Sequence, residues 1–335
     1  MNKNLIMIGA ALALSLPWMG CSKSSKLNQP SAFKTPSGPV ELKLKWPKGE
    51  RIVQVLDMKQ SMELTIPGQP APIKQDVTMG QEYGLTVLKE NPDGGHEVEM
   101  EFLNARLGST MGGKTVLNYD SAKKSPADKA EEVADMFGKI VGSKIKFFLN
   151  ASNDVVRVEG AQEMMNRLSS GAPADQLALL KSMYSESYFK QMMSHYRFLP
   201  GKAVQPGESW PVQFEFPMER MGTLLLDYTF TFQSWEMHGK RNCARIEFQG
   251  TIKNKPDPDS TTPGMSVSSF EGTTSGVSWF DPELGITIDT TMNQDITMVI
   301  NIPMNPQGNR GAAGQMQSIT NVMTQVMTIK LASVK

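Results

Sequence analysis

The chain has 335 residues with 34 basic and 34 acidic side chains, so no global field draws it to nucleic acid, and nucleic-acid binding is not expected. Only two cysteines are present, which excludes a disulfide framework; the fold must be held by a hydrophobic core that a chain of this length is large enough to bury. The 24 methionines suit irregular cores and permissive apolar binding surfaces alike, with core filling the default.

At the start, Asn2-Lys3-Asn4 leads into an apolar run from Leu5 to Leu16 and then Pro17-Trp18-Met19-Gly20-Cys21. This layout reads as a secretory signal over residues 1–20. The apolar run is shorter than the about 20 residues of a membrane span, which favours cleavage over insertion. Gly20-Cys21 resembles the bacterial lipobox, although Trp18 stands where that motif has an aliphatic residue. The resemblance implies lipidation of Cys21, with palmitate among its acyl groups, and a membrane anchor at the mature N-terminus. Ser22 after the cysteine fits outer-membrane sorting, so the expected location is the cell envelope, on the outer membrane facing the periplasm or the cell surface. Residues 21–40 carry Pro30, Pro36, Gly38 and Pro39 without apolar periodicity and read as the lipidated N-terminus and a flexible tether. Cys243, left without a partner, reads as a buried small apolar residue.

From Arg51 the chain alternates: Leu56, Met58, Met62, Leu64 and Ile66 share one face, and Asp57, Lys59, Ser61, Glu63 and Thr65 the other. Period two marks a half-buried strand. A second run sets Val77, Met79, Tyr83, Leu85 and Val87 on one face and breaks at Pro92-Asp93-Gly94-Gly95, a turn signal. The return strand opposes Val98, Met100 and Phe102 to Glu97, Glu99 and Glu101. The later half repeats these landmarks. Gly207-Glu208-Ser209-Trp210 answers Gly49-Glu50-Arg51-Ile52, a long strand turns at His238-Gly239-Lys240, and Phe147-Phe148-Leu149-Asn150 finds a counterpart in Trp279-Phe280-Asp281-Pro282.

Between the two runs the period changes to that of a helix, over Ala130–Val141 and over Pro173–Phe198 before Pro200-Gly201. The expected organisation is a first β-meander over 41–160, a helical segment over 161–200 and a second β-meander over 201–335. The strands are longer than the usual five or six residues, and sheets of such strands must twist and curl. The expected fold is therefore α+β, mainly antiparallel β. It is a long curled meander sheet, a half-barrel or imperfect barrel of two similar halves, with helices between them against the concave face.

The signal, the strand start Lys45-Trp46-Pro47-Lys48-Gly49-Glu50 and the central Pro206-Gly207-Glu208-Ser209-Trp210 together resemble an uncharacterised family of bacterial secreted or lipid-anchored proteins. That family usually reads Gly-Asp-Ser-Trp at the centre, so Glu208 departs from it. The resemblance implies no catalytic residue. A curled sheet over helices is also similar, in fold alone, to the half-barrels of periplasmic lipoprotein carriers.

Chemistry-bearing residues form no recognised constellation. His96, His195 and His238 lack zinc spacing. Asp281, Glu283, Asp289 and Asp295 could supply an acid and a base for glycoside cleavage, but Pro282 and Gly285 make the first two turn residues and the alternation sends the others to a solvated face. Met164-Met165 and Met192-Met193 suit copper(I) in principle, and core packing is their default. No catalytic, cofactor-binding or metal-binding residue is assigned, and no cofactor is expected. The expected function is that of a non-enzymatic envelope lipoprotein binding an apolar ligand or an envelope partner. The alternatives are a cell-envelope glycan hydrolase and a carbohydrate- or protein-binding module.

Overall fold

The computed structural model describes residues 26–123, 138–170, 184–218, 222–255, 266–303 and 316–335. Residues 1–25, with the expected signal and Cys21, lie outside them, as do most of Ala130–Val141 and the first part of Pro173–Phe198.

A short pair, β1 (Val40–Glu41) with β8 (Ala203–Val204), stands apart from one 12-stranded antiparallel sheet. The first half of that sheet comprises β2 (Arg51–Thr65), β3 (Ile73–Glu90), β4 (His96–Met111), β5 (Lys114–Asp120), β6 (Lys144–Leu149) and β7 (Val155–Glu159). The second comprises β9 (Ser209–Met218), β10 (Gly222–His238), β11 (Arg241–Lys255), β12 (Ser266–Asp281), β13 (Ile286–Pro303) and β14 (Met316–Val334). The spatial order is β7-β6-β4-β3-β2-β14-β13-β12-β11-β10-β9, with β5 beside the far part of β4. Each half is a meander of sequential neighbours, and β14 joins them by pairing with β2. The sheet curls without closing into a barrel, as the strand lengths predict.

The alternation read from the sequence is the alternation observed. Along β2 every second residue from Ile52 to Leu64 is buried, and those between face outward. Several bulges interrupt the pattern among the described strands, two of them in β4 and β10. Leu103 stands extra between the pairs Tyr83–Phe102 and Glu82–Asn104, so β4 buries Val98, Met100 and Phe102 and then Ala105 and Leu107. Gln233 does the same in β10, after which Trp235 replaces the even-numbered residues on the inner side. An extra residue flips every later side chain, which is why strict period two fails at those points.

Helices α1 (Ala161–Ser169) and α2 (Glu186–Ser194), followed by a 3-10 turn (His195–Phe198), lie between the halves. α1 buries Met164, Met165 and Leu168, and α2 buries Phe189, Met192 and Met193. Both methionine pairs therefore serve the core. Phe189 meets Phe147 of β6 edge-on, with ring centroids 6.5 Å apart. At the other edge, Trp210 of β9 donates its indole N–H to the carbonyl of Phe198 (2.7 Å), and Phe198 packs on Phe230. The helical segment thus bridges β7 and β9, the two edges that share no strand ladder. Among the described residues no helix is long and apolar enough to cross a membrane.

Candidate ligand-binding face

The inner face is organised in rows that run across the strands. One row is polar: Gln60 of β2, Gln325 of β14, Gln294 of β13 and Thr274 of β12 are successive partners. The next position, Gly250, has no side chain, and the ring of Tyr228 beyond it and the Thr274 methyl crowd the space it leaves. A Cβ at Gly250 would lie 2.9 Å from the Tyr228 ring. Burial pushes the Tyr228 phenol up to about 12, and the Thr274 contact pulls weakly the other way.

Apolar rows flank this polar one. On one side run Met58, Met327 and Met292, then Gly276, whose missing side chain is replaced by the ring of Phe248. Phe248, Phe230 and Trp210 continue it, with Phe230 to Trp210 stacked at 6.1 Å and 14°. On the other side run Met62, Met323 and Ile296, then Gly272, Ile252 and Leu226. Between Phe270 and Phe280 the inner positions of β12 are Gly272, Thr274, Gly276 and Ser278, all small, so neighbouring side chains lean over this stretch. The pattern is present in the sequence as Gly-x-Thr-x-Gly-x-Ser, period-two small residues that the sequence analysis did not single out.

Two acceptors on β14 stand out. Asn321 and Gln325 are 2% and 1% exposed, and neither Asn321 Oδ1 nor Gln325 Oε1 receives a hydrogen bond among the described residues. The Gln325 amide N–H donates to Gln294 Oε1 (3.3 Å). A buried polar atom without a partner costs about 1–3 kcal/mol, so native proteins rarely leave one without a function, a water or a ligand. The buried charges, Arg241 and Asp281, lie away from these rows, at the end of the sheet.

That end is closed by the N-terminal segment. Arg241 donates to Asp281 and to Glu283 Oε2 (2.9 Å), and Glu283 Oε2 also accepts from Ser31 Oγ (2.8 Å) and the Ala32 N–H (2.9 Å). Asn242 donates to Thr35 Oγ1 (3.0 Å), and Phe33 packs on Trp235 at 5.1 Å. Lys26 pairs with Glu50, Leu42 is buried, and Trp46 donates to Asn153 Oδ1 (2.8 Å). The part of the expected tether from Lys26 onward is therefore fastened to the sheet rather than free. Its proline-rich composition carries no sign of this, because the partners lie some two hundred residues away. Burial works to raise the Glu283 pKa, but the bonds from Ser31, Arg241 and the backbone N–H groups of Ala32 and Phe33 outweigh it and hold the carboxyl below its ordinary range.

The remaining residues singled out in the sequence are dispersed. Asp281 caps its hairpin by accepting the N–H of Glu283 (2.9 Å) and Leu284 (3.0 Å). Asp289 binds His238 Nε2 (3.1 Å), whose ring stacks on Trp279, and Asp295 is exposed on the outer face. Asp281 and Glu283 thus share Arg241, Asp289 is held by His238, and Asp295 lies apart on the outer face. His96 begins β4 and His195 begins the 3-10 turn. Cys243 is fully buried, and burial together with nearby Asp281 pushes its thiol pKa up, as suits an unreactive core residue. Among the described residues no group of three His, Cys, Asp or Glu could hold a metal ion.

Comparison with known proteins bears on the family. No curated protein matches the sequence. Among solved structures, the chain is similar to lipovitellin, studied for lipid–protein interactions, at 6% identity and a TM-score of 0.42, over 87% of this chain and 26% of that one. The chain thus spans about a quarter of that relative's length. A protein of Bacteroides fragilis described as exported and YmcC-like in fold shares 10% identity at a TM-score of 0.22, over 88% of this chain and 100% of its own. The outer membrane protein OprG of Pseudomonas aeruginosa shares 7% at 0.23, over 87% and 99%. A family model matches residues 93–287, more than half of the sequence, and the chain belongs to that family, DUF6263, a β-rich family of unknown function.

Proposed function

We propose that this protein is an exported envelope lipoprotein, lipidated at Cys21, whose inner sheet face binds an apolar ligand without catalysing a reaction. The observation that carries the ligand is an uncharged polar row laid between two rows rich in methionine. Methionine side chains adapt to different apolar shapes, and a few fixed polar groups orient what they hold. Displacing the helical segment between β7 and β9 would open this face without breaking any strand ladder, since those edges are not paired with one another.

Organic extraction and native mass spectrometry of the purified chain test the reading. A co-purifying lipid at fixed stoichiometry is the expected result. A protein that carries none, and that fails to take up the apolar probe N-phenyl-1-naphthylamine, would sink it. Palmitate-analogue labelling tests the anchor: label should be lost in Cys21→Ala, and equal labelling of that variant overturns lipidation. An envelope protein as partner is the second reading, favoured by Val322 and Val326, which are exposed on the outer face of β14. Its test is in-cell crosslinking from Val326, where a discrete adduct is expected and none would reject it.

A further inference from the structure

Resting on the ligand-binding reading above, we infer that the ligand is an uncharged long-chain lipid bearing a hydroxyl or amide N–H, read by Asn321 and Gln325. Both residues point to the inner face from one strand, four positions apart, so their side chains stand about 13 Å from one another along β14. Asn321 lies between Leu64 of β2 and Met298 of β13, and Gln325 lies between Gln60 and Gln294. What each leaves unused is an acceptor oxygen. Only a donor can complete it.

Charge narrows the class further. A carboxylate or phosphate would bring only acceptors to these two oxygens, and would bring its charge into a face whose buried polar residues, Gln, Asn, Thr and Ser, are uncharged. An ammonium would supply donors, but a buried ion needs a counter-charge. The buried carboxylate, Asp281, is already paired with Arg241, whose other donors go to Glu283 and the Gln29 carbonyl at the end of the sheet, so neither charge is left for a ligand ion. An uncharged hydroxyl or amide meets both conditions, and the flanking Met58, Met327, Met292, Met62 and Met323 supply contact for the chain. Acylglycerols and fatty alcohols have this chemistry; fatty acids at neutral pH and phospholipids do not.

The test is displacement of N-phenyl-1-naphthylamine from the full chain carrying Cys21→Ser, so that its own acyl groups do not compete. The competitors are 1-monopalmitoylglycerol, palmitate and methyl palmitate, which share one chain length. The expected result is that the glycerol ester displaces the probe about tenfold or more better than either of the others, since each completed acceptor contributes on the order of a tenfold gain. In the double variant Asn321→Leu and Gln325→Met that advantage should vanish while the affinity for methyl palmitate stays, which also shows that the variant is folded. Equal displacement by all three lipids would overturn the inference and leave the ligand-binding reading intact. A preference for palmitate would also overturn it. Failure of the probe to bind at all would remove both.

Discussion

Both halves of the sheet are meanders, but two of their hairpins differ. In the first half the hairpin strands β6 and β7 have six and five residues, and in the second the hairpin strands β12 and β13 have 16 and 18. Where the first half runs short, α1, α2 and the 3-10 turn supply the cover, with Phe189 set against Phe147. The hairpins at these places also differ in charge. Asn150 Oδ1 accepts the N–H groups of Ser152 and Asp154, both at 2.9 Å, as Asp281 Oδ1 accepts those of Glu283 and Leu284. Only the second has a free oxygen for a buried arginine. The same turn chemistry thus serves as a plain hairpin in one half and as the fastening for the N-terminal segment in the other.

Substitutions at the two hairpins test this contrast. Arg241→Ala leaves Asp281 buried without a counter-charge and should cost about 3–5 kcal/mol in denaturant unfolding. Asn150→Ala removes neutral-donor bonds at a hairpin and should cost about 1–2 kcal/mol. Equal losses would mean that the charge adds nothing to the turn. At the seam between the halves, Trp210→Phe keeps the ring beside Phe230 but loses the bond to the Phe198 carbonyl, with an expected cost of about 1 kcal/mol and faster amide exchange in Glu186–Phe198 than in β12 or β13. The smallest effect belongs to acid. Since the folded Glu283 pKa lies below that of an ordinary carboxyl, its contribution is fully present above the unfolded pKa and is lost as pH falls through the lower folded one. Protease nicking within residues 29–35 should therefore begin at an acidic pH where β2 and β14 are still protected from exchange. Simultaneous loss of both would show that the fastening is part of the global fold.

The long strands were legible because one face is buried and the other is wet, so β2 and the early part of β4 state their register in alternation. The bulges at Leu103 and Gln233 were not, since an extra residue shows only against its partner strand. The polar row was hidden for a related reason: Gln60, Gln294 and Gln325 sit on inner positions amid methionines, and each alone reads as a surface residue out of place. Their adjacency exists only in the paired sheet. The Arg241 fastening was least legible, joining residues 29–35 to a hairpin near position 283 through contacts that leave no local pattern.

The pairing of β14 with β2 has a consequence in time. Thr65 meets Thr320 and Ile52 meets Val334, so the seam between the halves joins an early strand to one made more than two hundred residues later. Contacts of such separation are slow to form, because loop closure precedes their reward. While the chain is being delivered, β2 and β13 wait as exposed edges, which are sticky to other strands. The protein's hazard therefore belongs to its youth: shortening β14 should lower yield and promote aggregation during maturation out of proportion to the stability lost by the finished fold.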